Sequence, residues 1–211
     1  MNRIRLTYKK GASLRYTGHL DLHKVWERTF RRARLPLAYS QGFHPQPKIQ
    51  QACPLPLGFT SDFEIIDFWI TEEVPTESIS PALESAVHPG ITILDVQCIP
   101  LSDPPLQTTI RSAQFEILLP QSENPDTITE KVKSILSSES LQRERRGKIY
   151  NLRPLIHSLE IKIDTSPTIV AHLSAMPGAT GRPEEVLAVM GIDPVNVEVT
   201  RTALFFEKSD D

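Results

Sequence analysis

Arg3-Ile4-Arg5-Leu6-Thr7-Tyr8 alternates polar and apolar side chains with period two, and Asp21-Leu22-His23-Lys24-Val25-Trp26-Glu27-Arg28-Thr29-Phe30-Arg31-Arg32-Ala33 follows with apolar residues at steps of three and four. The first pattern predicts a half-buried strand. The second predicts a helix whose apolar face is Leu22, Val25, Trp26, Thr29, Phe30 and Ala33, opposite Lys24, Arg28, Arg31 and Arg32. Thr17 or Gly18 can cap that helix, Asp21 suits its first turn, and Pro36 forbids its continuation. Between the two, Lys9-Lys10-Gly11-Ala12-Ser13 reads as a turn into Leu14-Arg15-Tyr16, so a hairpin or edge strand is expected to open the fold.

Downstream, a short Leu37-Ala38-Tyr39 strand, an irregular Gln50 to Phe59 segment and a strand at Phe63 to Ile70 lead to a helix at Ser78 to Val87 and a strand at Ile91 to Ile99. After Ser102-Asp103-Pro104-Pro105 the order resumes: strand Ser112 to Leu119, helix Asp126 to Ser137 and strand Leu141 to Arg145. Strands at Ile156 to Ile163 and Thr168 to Ala175, a helix at Pro183 to Met190 and a strand at Asn196 to Phe206 complete it. The expectation is an α+β protein with antiparallel sheets covered by helices on one face, built as two tandem ferredoxin-like (βαββαβ) halves. The halves are placed at 1–101 and 110–211, with 102–109 as linker; one larger α+β domain is the alternative.

The net charge of −3 hides two basic islands. Residues 1–61 carry 11 Lys/Arg against 2 Asp/Glu, and 141–153 carry 5 against 1, while 62–140 carry 3 against 14 and 154–211 carry 4 against 9. Such segregation draws a polyanion to one face. Cys53 and Cys98 lie in separate apolar stretches without a further Cys or His at ligand spacing, so they read as buried thiols rather than a disulfide or zinc site. No signal-peptide run follows Met1 and no apolar stretch approaches a membrane span, which makes the expected location cytoplasmic and the expected partners exclude a membrane.

Candidate binding residues gather in the islands. Tyr39-Ser40-Gln41-Gly42-Phe43-His44-Pro45-Gln46-Pro47-Lys48 combines a conformationally free glycine, stiffening prolines, two aromatic planes and several polar groups. Arg15, Arg28, Arg31, Arg32 and Lys48 are the candidates for phosphate, and Tyr39 and Phe43 for base stacking. Ser40, Gln41 and His44, with His19, are the candidates for polar base edges. In the second island, Arg143, Arg145, Arg146, Lys148 and Arg153 repeat the chemistry on a strand end or loop, as the candidate second wall of the same groove. Pro177-Gly178-Ala179-Thr180-Gly181-Arg182-Pro183 is a loop able to bind an anion, although its ordinary role is to lead into a helix. His19 and His23 stand four apart around Asp21 without the glutamate of a zinc-protease helix, so no metal site is assigned. No glycine-rich phosphate loop or nucleophile elbow occurs.

Leu14-Arg15-Tyr16-Thr17-Gly18-His19-Leu20-Asp21, the Arg-rich helix, Tyr39 to Lys48 and Pro54-Leu55-Pro56-Leu57-Gly58 resemble the bacterial radical-SAM-linked domain of unknown function. Weaker matches continue at Lys148 to Ile156 and Arg182 to Leu187. The family occurs fused to a B12-binding-type radical SAM protein or as a separate chain. The resemblance therefore implies a radical SAM partner, and the iron-sulfur cluster and S-adenosylmethionine would belong to that partner. With two cysteines this chain lacks the three-cysteine signature, and no cofactor is expected in it. Gly18 stands where the family pattern has a serine before the histidine, which removes any role for that hydroxyl here.

The combined expectation is an RNA-binding or substrate-presenting accessory module in RNA modification or processing, more a binder than a catalyst. Two alternatives stand beside it. One is a metal-independent RNA endonuclease using His19 or His44 as acid/base, similar to the tandem ferredoxin-like repeat-processing endonucleases. The other is a protein-interaction subunit docking an acidic partner surface.

Overall fold

The computed structural model describes residues 1–163 and 165–207. The chain divides into two compact units, Met1–Ile110 and Arg111–Asp211. The first runs β1 (Asn2–Lys10), α1 (His19–Arg32), β2 (Ile49–Gln51), β3 (Phe59–Ile70), α2 (Thr76–Glu84), β4 (Ile91–Ile99) and a single-turn α3 (Leu106–Thr109). Its strands pair antiparallel in the order β2-β3-β1-β4.

The period-two pattern extends along β1, with Ile4, Leu6 and Tyr8 buried on one face. Helix α1 covers that face with Leu22, Trp26, Thr29 and Phe30. Trp26 meets the Tyr8 ring edge-on at 4.7 Å, and Phe30 stacks between Trp26 (5.4 Å) and Phe68 of β3 (4.3 Å). Each such side chain contributes roughly 1.5–3 kcal/mol by leaving water.

On the opposite face, cross-strand register sets Arg5 against Asp67 and Arg3 against Trp69. The buried Asp67 carboxylate accepts from Arg3 (Nη2, 2.6 Å) and Arg5 (Nε, 2.9 Å), and Arg3 also donates to the carbonyls of Asp103 and Pro104. Lys10 is buried, with Nζ donating to the Phe59 carbonyl at 3.1 Å. Three cations of the first basic island are thus structural.

Three local expectations are corrected. Leu14-Arg15-Tyr16 is not a hairpin strand: Gly11 N donates to Gly90 O, Leu14 N to Gly11 O, and Ala12–Leu14 curls into a 3-10 turn that buries Leu14. Leu37-Ala38-Tyr39 makes only isolated bridges, Leu37 to Ile70 and Tyr39 to Pro47, because Pro36 before it and Pro47 opposite it supply no N–H for a ladder. Nor are both thiols buried, since Cys98 is exposed on the edge strand β4 and Cys53 is half-buried.

The second unit comprises β5 (Ile110–Leu118), α4 (Pro125–Ser137), β6 (Gln142–Arg145), β7 (Lys148–Asn151), β8 (Ile156–Ile163), β9 (Pro167–Met176), β10 (Ala179–Thr180), α5 (Pro183–Met190) and β11 (Glu198–Phe206). Strand β9 pairs antiparallel with β5, β8 and β10, and β11 lies beside β5. The second basic island begins on a strand end, since Arg145 closes β6, but it is not a loose loop. It is the β6-β7 hairpin, closed by Arg146 (φ 52°) and Gly147 (φ 75°), the double positive φ of a type I′ turn. Each unit is α+β with largely antiparallel strand pairing, and the described residues form five helices in all. No helix of the described residues is long and apolar enough to cross a membrane.

Candidate nucleic-acid interface

Helix α1 stops where Leu35 N donates to Phe30 O (3.2 Å) and Arg34 takes φ 56°, a Schellman-type end that turns the chain toward the loop. Arg28, Arg31 and Arg32 are exposed. Arg31 pairs with Glu27 at 2.7 Å, whereas Arg28, Arg32 and Lys48 have no carboxylate partner among the described residues.

The loop that follows is tied at its base. Ser40 N donates to Gln46 O (2.8 Å), Gln46 N to Ser40 Oγ (3.0 Å) and Lys48 N to Ala38 O (2.8 Å). The Ser40 hydroxyl therefore pins the loop, while Gln41, Gly42 (φ 123°), Phe43 and His44 form an exposed tip. Phe43 is 101% exposed and Tyr39 40%, so neither ring is folded into the core. Lys48 borders an open cleft of about 450 Å³ with Gln50, Trp69 and Gln107, which joins a cation, an indole and two amides.

Other candidates are occupied differently. Arg15 Nε donates to Gly58 O at 2.6 Å and its guanidinium lies 5.9 Å from the Tyr16 ring, so it clamps two loops together. Beside that clamp Tyr16 and Leu57 are exposed, as is Leu20, the second residue of α1. His19 is the half-buried first residue of α1 and His44 lies at the exposed loop tip; they sit on different elements. No group of three or more His, Cys, Asp or Glu is arranged to hold a metal ion among the described residues.

In the second unit, Arg143 pairs with Glu185 of α5 at 2.7 Å. Arg153 donates to Leu136 O (2.9 Å) and Ile156 O (3.0 Å), placing its charge at the C-terminal end of α4, where the helix dipole favours a cation. The remaining three, Arg145, Arg146 and Lys148, line an open cleft of about 490 Å³ with Tyr150, Thr180 and Arg182. Gly181 allows the chain to close there, since a Cβ would stand 2.7 Å from Leu155 O. Burial pushes the Glu184 carboxyl above the usual range, with Arg182 and Arg145 opposing. Burial, followed by the Glu185 charge, likewise raises Tyr150. The Tyr150 hydroxyl and Glu184 Oε2 are buried without a hydrogen-bond partner among the described residues. The sequence offers Thr180 and Arg182 as part of a loop able to bind an anion and Tyr150 as a member of the second island, but nothing in it joins the two into one cleft.

No curated protein matches the chain in sequence. Among solved structures, a chain of a Cbf5-Nop10-Gar1 complex is similar at a TM-score of 0.51 and 10% identity, over 98% of this chain and 50% of that one. A chain of the archaeal box H/ACA sRNP Nop10-Cbf5 complex aligns at 0.45 and 11% identity, over 98% and 49%. An unknown protein from Galdieria sulphuraria aligns at 0.29 and 15%, over 98% and 99%. The chain thus spans about half the length of the first two, and the likeness is one of fold. Residues 3–183 match the family described as an uncharacterized protein conserved in bacteria (DUF2344), and the chain belongs to that family.

Proposed function

We propose that this chain is an RNA-binding accessory module that works with a radical SAM protein in RNA modification or processing. The observation that carries the RNA reading is Phe43, wholly exposed at the tip of a loop pinned at its base. A bare phenyl ring gains nothing from water, and a pinned loop loses little entropy when a base stacks on it. Tyr39 supplies a second plane, and Arg28, Arg32 and Lys48 supply cations not already neutralised by carboxylates. The fold likeness to the Cbf5-Nop10-Gar1 chain is compatible with this reading. We also read each unit as ferredoxin-like, because β2-β3-β1-β4 and β8-β9-β5-β11 are the strand orders of that fold. The radical SAM partner rests on the resemblance of the Leu14 to Asp21 and Tyr39 to Gly58 motifs.

Fluorescence anisotropy with a labelled single-stranded RNA tests the binding. Phe43→Ala should weaken it by about 1–3 kcal/mol, the value of one base stacked on an aromatic ring. Equal affinity of wild type and Phe43→Ala sinks the assignment. Cleavage products that vanish in His44→Ala would instead make the chain an enzyme.

A second reading has its own observation: Tyr16, Leu20 and Leu57 are 79%, 76% and 62% exposed near the start of α1. Such a patch fits a protein partner. Leu57→Asp should abolish capture of a co-expressed radical SAM protein while leaving RNA affinity intact, and retention of both would discard the patch.

A further inference from the structure

We infer that the cleft of the second unit binds a ligand carrying two or more linked phosphates, the 5′-polyphosphate of a nucleotide, either free or at an RNA end. For the RNA-borne form the inference rests on the RNA-binding reading above; for the free nucleotide it stands alone.

Four cations line one concavity: Arg145 and Lys148 from the two hairpin strands, Arg146 from the turn between them, and Arg182 at the N-cap of α5. No carboxylate is among the lining residues; of the two nearby, Glu185 is engaged by Arg143, and Glu184, whose protonation burial favours, faces Arg182 and Arg145 and offsets part of their charge. An internal phosphodiester brings one negative charge and leaves most of this field unbalanced, whereas a triphosphate brings three or more. Arg146 holds φ 52° at a position where Asn, Asp or Gly is at ease, so the cleft contains a strained arginine. Tyr150 and Leu155 add an apolar wall for the group beyond the phosphates, and about 490 Å³ lies in the range of small-ligand pockets, about 300–1,000 Å³.

Calorimetric titration of the whole chain at low salt tests this with tripolyphosphate, ATP, orthophosphate and adenosine. Tripolyphosphate and ATP should bind at least about tenfold tighter than orthophosphate, and adenosine should not bind. Arg146→Asn combined with Lys148→Ala should weaken tripolyphosphate by at least about tenfold, the loss of one charge-assisted hydrogen bond or more. Asparagine tolerates the positive φ, so the hairpin survives, and an unchanged melting temperature verifies it. Equal affinity for orthophosphate and tripolyphosphate, or no effect of the double variant, overturns the site. So does an equal loss in Phe43→Ala, which would place binding on the other unit. Preference for a 5′-triphosphate RNA over its 5′-hydroxyl form, lost in the double variant, assigns the RNA end as source; no preference assigns the free nucleotide. Failure of both RNAs with tripolyphosphate binding intact sinks the RNA reading alone.

Discussion

Arg34 is exposed and holds φ 56° only because the end of α1 requires it. Arg34→Gly should therefore stabilise the protein by about 1 kcal/mol and raise the melting temperature by roughly 2–4 °C in a scanning calorimeter. Asp67 is the opposite case. Its carboxylate holds two guanidinium groups away from water, so Asp67→Ala leaves Arg3 buried without its counter-charge and should cost about 3–5 kcal/mol in urea unfolding. Glu184 gives a pH signature. Burial raises its folded pKa above the unfolded value near 4.5, so the folded state holds the proton more tightly. Its stabilising contribution is complete below 4.5 and is lost as pH rises through the raised value. Glu184→Gln should accordingly raise the melting temperature at neutral pH, with the advantage disappearing in acid; a gain independent of pH would contradict a buried, charged carboxylate.

At the level of elements, the aromatic residues of α1 and of the loop after it should part company. Trp26→Ala empties a buried site against Tyr8 and Phe30 and should cost about 3–5 kcal/mol, whereas Phe43→Ala should leave the melting temperature unchanged because the ring touches nothing. The amphipathic spacing of α1 was legible because one helix face meets one sheet, and β8 and α5 begin and end where their patterns do. Strand β7 was not legible: Lys148–Asn151 has no apolar face, and its turn uses Arg-Gly instead of Asn-Gly. The Ala12–Leu14 turn was hidden for a different reason, since its geometry depends on Gly90, far along the chain. Within the candidate site, residue types were readable but their availability was not. Arg15 is spent on Gly58, Arg143 on Glu185 and Arg153 on Leu136 and Ile156, partners that no local pattern announces. Arg182 joins the cleft only because β10 and α5 bring it to the β6-β7 hairpin, a long-range contact outside any sequence window.

For the whole molecule, the proposed RNA binding has to be squared with a net charge of −3. Counting residues 1–61 assigns that region an excess of nine positive charges, but Arg3, Arg5, Lys10 and Arg15 serve the fold and Arg31 has its own glutamate. Arg28, Arg32 and Lys48 are the predicted phosphate ligands of the first unit left without a carboxylate among the described residues. Each neutralised phosphate on a single strand contributes about −0.7 to the slope of log affinity against log salt, so three contacts give about −2 and nine would give about −6. The measured slope for a 5′-hydroxyl RNA should lie near the smaller value, and Arg28→Ala should reduce it by about 0.7. A slope near the larger value would mean that the structural ion pairs open to receive RNA. Under the closed arrangement, the Arg3–Asp67–Arg5 cluster stays intact when RNA binds and bound RNA raises the melting temperature.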